Sequence, residues 1–169
     1  MMKLYHAFII TTIILFSLRK GNWRNWREYL PTMYYFSFFN LFYQYISFTI
    51  DRVWELKKLF VSMFVTDVLY TFLVYPAIVV MFLGNYSDNR RVQFYHYAKY
   101  ITVSMSIETL AAKLHSIEYF NGWTIWWTLF FYCTMFPLLR LHHVYPLRAL
   151  VISFGLITFY LWKFDFSIL

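Results

Sequence analysis

The sequence predicts an all-α fold, a polytopic transmembrane helical bundle of about six spans formed by residues 1–169 as one domain. Three observations predict it. Hydrophobic residues make up 61% of the chain and charged residues 14%, against the roughly 45–50% apolar and 25% charged of a soluble domain. Apolar runs recur along nearly the whole length, separated by short charged connectors, which is the pattern of a multi-pass chain. Aromatic residues reach 25%, enough for the belts in which amphipathic rings sit at headgroup level. An AT-rich genome would also raise Phe and Tyr, so the positions of the rings carry the argument rather than their number.

The first apolar run, LYHAFIITTIILFSL at 4–18, is closed by Arg19 and Lys20. No small-residue cleavage pattern follows it, and the flank after the run is the more basic one, so it is expected to be an uncleaved signal anchor with its N-terminus outside. Gly21 then breaks the helix, Trp23 and Trp26 suit the headgroup level, and Pro31 suits the first turn of a second span over 30–48. The segment TIDRVWELKK at 49–58 is a charged connector. The third span covers 59–83 and ends before Gly84, with Pro76 expected to kink it.

NYSDNRRVQ is the clearest polar loop. The fourth span, 94–114, carries His96, Lys99 and Glu108, so burial among other helices suits it better than lipid. HSIEYFNGW is expected to turn at Asn121 and Gly122, which tolerate positive φ. The fifth span covers 123–139, RLHHVYP connects, and the sixth covers 147–163.

Orientation follows from the basic residues. Nine lie in the first, third and fifth connectors (Arg19, Lys20, Arg24, Arg27, Arg90, Arg91, Lys99, Arg140, Arg148), and six lie on the other side (Lys3, Arg52, Lys57, Lys58, Lys113, Lys163). Both termini are therefore expected outside, although Lys57 and Lys58 argue the other way. The net charge of +7 is scattered through connectors instead of forming a stripe, which excludes a nucleic-acid partner. One cysteine, Cys133, excludes an internal disulfide and cysteine metal motifs. With four glycines there is no phosphate loop, and neither G-x-S-x-G nor H-E-x-x-H occurs, so no catalytic motif, cofactor or metal site is expected.

NWRNWREYLPT at 22–32, the Ile107-Glu108 pair, and IEYFNGWTIWWTLFFYCTMFPLLRLHHVYPLRA at 117–149 resemble an uncharacterised family of small integral membrane proteins of spore-forming Gram-positive bacteria. The resemblance is most specific at the Tyr119 to Trp123 turn, the Trp126-Trp127 pair and the Pro137 to His142 stretch. It implies a multi-span protein of a bacterial plasma membrane and supplies no catalytic residues.

Glu108 and Asp67 are the informative acids, because each falls inside a span. A central acid costs at least about 2.5 kcal/mol on insertion scales, so it should face the interior, be protonated, or have a partner. Counted from one shared face, Asn40 and Asp67 lie about 12 Å deep and Glu108 about 13 Å, and an intramembrane polar site of Asn40, Asp67 and Glu108 is expected. Two uses remain open: the acids share a proton or cation, or the three residues hydrogen-bond helices together. His115 lies one heptad after Glu108 and permits a relay from the acid to the surface, though an ordinary interfacial histidine is the simpler account. Arg140, His142, His143 and Arg148 form a basic cluster at one interface, suited to headgroups or to orientation alone. The adjacent histidines point about 100° apart and do not make a metal pair.

The expected function is therefore that of a small membrane protein, partnered by the bilayer, which handles a proton or cation or serves as a subunit of a membrane complex or homo-oligomer. The alternative is a membrane-embedded enzyme acting on a lipid or isoprenoid group, with Glu108 or Asp67 as general base.

Overall fold

The computed structural model describes residues 2–57 and 62–166, with side chains from Tyr5 onward. Residues 59–61 of the expected third span and Lys58 of the charge count lie outside the described residues. Six long helices follow one another: α1 (Met2–Lys20), α2 (Trp26–Thr49), α3 (Met63–Gly84), α4 (Arg90–Lys113), α5 (Ile125–Val144) and α6 (Pro146–Lys163). A 3-10 turn, Trp23–Asn25, leads into α2. Two short strands, β1 (Trp54–Leu56) and β2 (Ile117–Tyr119), pair antiparallel, so the chain is mostly helical with one small sheet.

Among the described residues two helices, Met63–Gly84 and Pro146–Lys163, are long and apolar enough to cross a membrane. Composition explains why α2 and α4 fall short. Helix α4 carries Arg90, Arg91, Lys99, Glu108 and Lys113, and α2 is rich in Tyr, Ser, Asn and Gln, residues that favour an interface or a partner over hydrocarbon.

The helix ends depart from the sequence reading in ways that backbone chemistry explains. Helix α2 starts at Trp26, which places Pro31 inside it instead of in its first turn. Helix α5 continues to Val144, and α6 begins with Pro146. The expected connector at 140–146 is thereby reduced to Tyr145, because Pro146 lacks an N–H and is preorganised for a first turn.

At Pro76 the chain widens into a π-helical stretch, Tyr70–Val74. Tyr75 donates to the Tyr70 carbonyl in that wider register, and the next donor would be the N–H that Pro76 does not have. The Thr71 carbonyl instead accepts from Ser37 Oγ at 2.9 Å.

Helix α3 packs against α1 and α2, and α5 packs against α2, α4 and α6. Val79, Val80, Phe82 and Phe136 are fully buried where α3, α2 and α5 meet. Polar groups share the interior with that apolar core, and large apolar side chains lie outside. His6, Ser17, Thr32, Thr66, Thr71 and Thr128 are buried, whereas Phe94, Val151 and Trp162 lie on the outside, with Leu147 and Trp162 each 77% exposed.

The sheet ties two distant connectors. Trp54 pairs with Tyr119, Glu55 with Glu118, and Leu56 with Ile117. Backbone bonds extend the ladder from Phe120 N–H to Val53 O (2.8 Å) and from Lys57 N–H to Ser116 O (2.9 Å). Directly opposed glutamates repel. Lys57 Nζ offsets that by bridging Glu118 (2.6 Å) and Glu55 (3.5 Å), and Arg52 also pairs with Glu55.

Candidate functional site

The end of α4 sets the site. His115, with φ 53°, takes the left-handed position just past the helix. Its N–H bonds to Ala112 O at 3.1 Å while Ser116 N–H bonds to Ala111 O at 2.8 Å. This pair of bonds satisfies two orphan carbonyls and reverses the chain. The reversal feeds β2, whose pairing with β1 carries Tyr119 back alongside α4.

Glu108 consequently meets three hydroxyls. Tyr119 donates to Oε1 at 2.9 Å, Thr128 to Oε1 at 3.0 Å, and Tyr132 to Oε2 at 2.7 Å. Thr128 and Tyr132 are four residues apart on α5 and so share a face. Thr128 itself accepts from Trp123 Nε1 at 2.9 Å, so its lone proton is free for the carboxylate. An ionised carboxylate accepts from all three donors at once. Burial, followed by the Glu108 charge, holds the Tyr119 phenol above its usual pKa, which keeps its donor proton in place.

Glu108 lines a cavity of about 310 Å³ walled by side chains from all six helices and both strands. Among the described residues it is the only Asp, Glu, Lys or Arg in that lining, which is otherwise aliphatic and aromatic with the His6 imidazole and a few hydroxyl and amide groups. None of the ion pairs among the described residues includes Glu108.

The other expected site residues are distributed differently. Asn40 lines the same cavity and donates to Thr71 Oγ1 at 2.7 Å, and Thr71 Oγ1 donates to the Asp67 carbonyl at 2.7 Å. The Asp67 carboxyl group bonds to Gln44 and is not part of the cavity wall. Asn40 and Asp67 are thus joined through the π-helical stretch, while Glu108 keeps a separate set of partners.

His115 is exposed and outside the cavity lining; its visible role is to turn the chain. The basic cluster does not act as one unit. His142 is buried, with Nδ1 3.0 Å from Thr32 Oγ1 and its ring stacked on Tyr35 at 4.1 Å. Arg140 covers the Tyr86 ring at 4.5 Å and Arg148 the Tyr145 ring at 4.8 Å, while His143 leans on Tyr29.

A second polar group escapes the sequence reading. His6 is fully buried, with Nε2 3.1 Å from Ser116 O and Nδ1 3.0 Å from Tyr70 Oη. The carbonyl requires Nε2 to carry the proton, so Nδ1 accepts from Tyr70. Beside it, Tyr5 Oη donates to Ile107 O at 2.5 Å. The signal was available: a histidine inside an apolar run needs a partner just as an acid does.

Comparison with family models, with curated proteins and with solved structures finds no match.

Proposed function

We propose that this chain is a multi-span protein of a bacterial plasma membrane, with all six helices spanning, and that its working part is Glu108, which exchanges a proton or cation at the wall of the central cavity. The apolar exterior supports the membrane assignment: lipid takes the place of water around the exposed Phe, Leu and Trp side chains, and interior Ser, Thr and Asn groups link helices. The carrying observation is a carboxylate in a mainly apolar cavity, fixed by three hydroxyls and, among the described residues, without a second carboxylate in the lining or a basic partner. An uncompensated charge in such a setting is costly. A site built only to join helices needs no cavity beside it.

Dicyclohexylcarbodiimide tests this reading, because it enters apolar sites and adds the O–H of a protonated carboxyl across one of its N=C bonds. Mass spectrometry should find the adduct on Glu108 in the native protein and in Asp67→Asn, with no adduct at that position in Glu108→Gln. Modification confined to Glu28, Glu55 or Glu118 would overturn the proposal.

A further inference from the structure

The shape and lining of the cavity narrow what the carboxylate meets, an inference that rests on the reading of Glu108 as the working group. We propose that the cavity binds an amphiphilic organic ammonium, its cationic head against Glu108 and its apolar part among the aromatic and aliphatic walls.

A hard inorganic cation is poorly served here. Na⁺ or K⁺ exchanges its hydration shell for several oxygen ligands, yet Glu108 is the one carboxylate among the described lining residues, and of the three hydroxyls bonded to it the Thr128 oxygen already accepts from the Trp123 indole. Beyond them rings and aliphatic chains make up most of the lining, with His6, Asn40 and a few hydroxyls among them. No group of three His, Cys, Asp or Glu side chains suited to a metal occurs among the described residues.

An organic ammonium needs much less. It is weakly hydrated, takes one anionic oxygen, and is attracted to the faces of Trp and Tyr rings. Tyr5, Trp54, Tyr70, Tyr75 and Trp123 all line the cavity with Glu108. Among the described residues no Lys or Arg stands in the lining to repel the head or to neutralise the carboxylate, and the His6 imidazole there is engaged by Tyr70 and Ser116. The volume of about 310 Å³ falls at the lower end of the roughly 300–1,000 Å³ typical of small-molecule sites.

The polar and apolar ends are also ordered along the bundle. Glu108 lies five residues before the end of α4, and its partner Tyr119 belongs to the sheet at that end. Phe36, Ile78, Met135 and Leu139 continue the wall away from it, toward the buried core formed by α2, α3 and α5. A molecule with a charged head and an apolar tail matches that gradient.

Octyltrimethylammonium and octanol form the test pair, one charged and one neutral with the same tail. Trp54 and Trp123 are built-in reporters. In detergent, octyltrimethylammonium should change the tryptophan fluorescence saturably and should protect Glu108 from dicyclohexylcarbodiimide, while octanol does neither at equal concentration. Glu108→Gln should weaken the fluorescence response about thirtyfold or more, the effect of removing one partner of a buried charge pair. Asp67→Asn, which removes an acid outside the cavity wall, should still bind, and the circular dichroism spectrum of Glu108→Gln separates lost affinity from lost folding. Labelling of Glu108 that octyltrimethylammonium blocks no better than octanol would overturn this inference and leave the function reading standing. Failure of Glu108 to label at all would remove both.

Discussion

Tyr132→Phe is the sharpest single test of how Glu108 is held. The substitution removes one oxygen and keeps the ring, so the packing of Tyr132 against Phe131 and Phe136 is retained. What is lost is the 2.7 Å bond to Oε2, the only donor on that oxygen among the described residues, whereas Oε1 has both Tyr119 and Thr128. Hydrogen bonds between helices in membranes average about 0.6 kcal/mol, but a bond to a charged acceptor is worth about 1.5–3 kcal/mol. The charged case governs if Glu108 is ionised, so Tyr132→Phe should cost about 2 kcal/mol and Tyr119→Phe about 1 kcal/mol. Unfolding by dodecyl sulfate in mixed micelles, followed by circular dichroism, measures both. The two costs should collapse toward zero in a Glu108→Leu background, where no acceptor remains. A Tyr132→Phe variant no less stable than Tyr119→Phe, or a cost that persists once Glu108→Leu has removed the acid, would refute the argument.

Three further outcomes can be measured. His115→Gly should leave the carbodiimide reaction of Glu108 unchanged and raise stability by up to about 1 kcal/mol, since a side chain at positive φ is strained and glycine is not; Gly122→Val, at φ +79° with no atom near the added Cβ, should lower it by about 1–2 kcal/mol on backbone grounds alone, and melting curves report both signs. For orientation, cysteine placed at Asp88 in a Cys133→Ser background should resist an impermeant thiol reagent in intact cells and react after lysis, as the nine-to-six distribution of basic residues requires; labelling from outside would reverse the topology.

The helices were legible because period and punctuation agree. Apolar runs ended by Gly21, the polar loop at 85–93 and the Asn121-Gly122 turn mark the same six segments that the backbone forms, and both turn residues take positive φ (49° and 79°). Glu108 was legible because an acid in an apolar run is expensive wherever it points. Its partners were not. Counting depth along straight helices placed Asp67 and Glu108 in one layer, but depth says nothing about rotation, and the faces diverge: Glu108 turns to Thr128 and Tyr132 on α5, Asp67 to Gln44 on α2. Tyr119 escaped because TIDRVWELKK and HSIEYFNGW read as loops. Their pairing across more than sixty positions leaves no local mark, and three-residue strands carry too little alternation to declare themselves.

That pairing also imposes an order on biosynthesis. Val53, Trp54 and Leu56 leave the ribosome long before Ile117, Tyr119 and Phe120, and His6 waits still longer for the Ser116 carbonyl that satisfies its ring. Until the fourth helix and its reversal are made, the first three helices carry an unpaired strand edge and a histidine short of one acceptor, which water or a helper protein must cover meanwhile. Closure therefore cannot precede α4: only then can the ladder pair and His6 and Tyr5 reach the end of α4, and Tyr132, made later still, completes the carboxylate's shell. A chain stalled before α5 would hold Glu108 without the two hydroxyls that α5 brings.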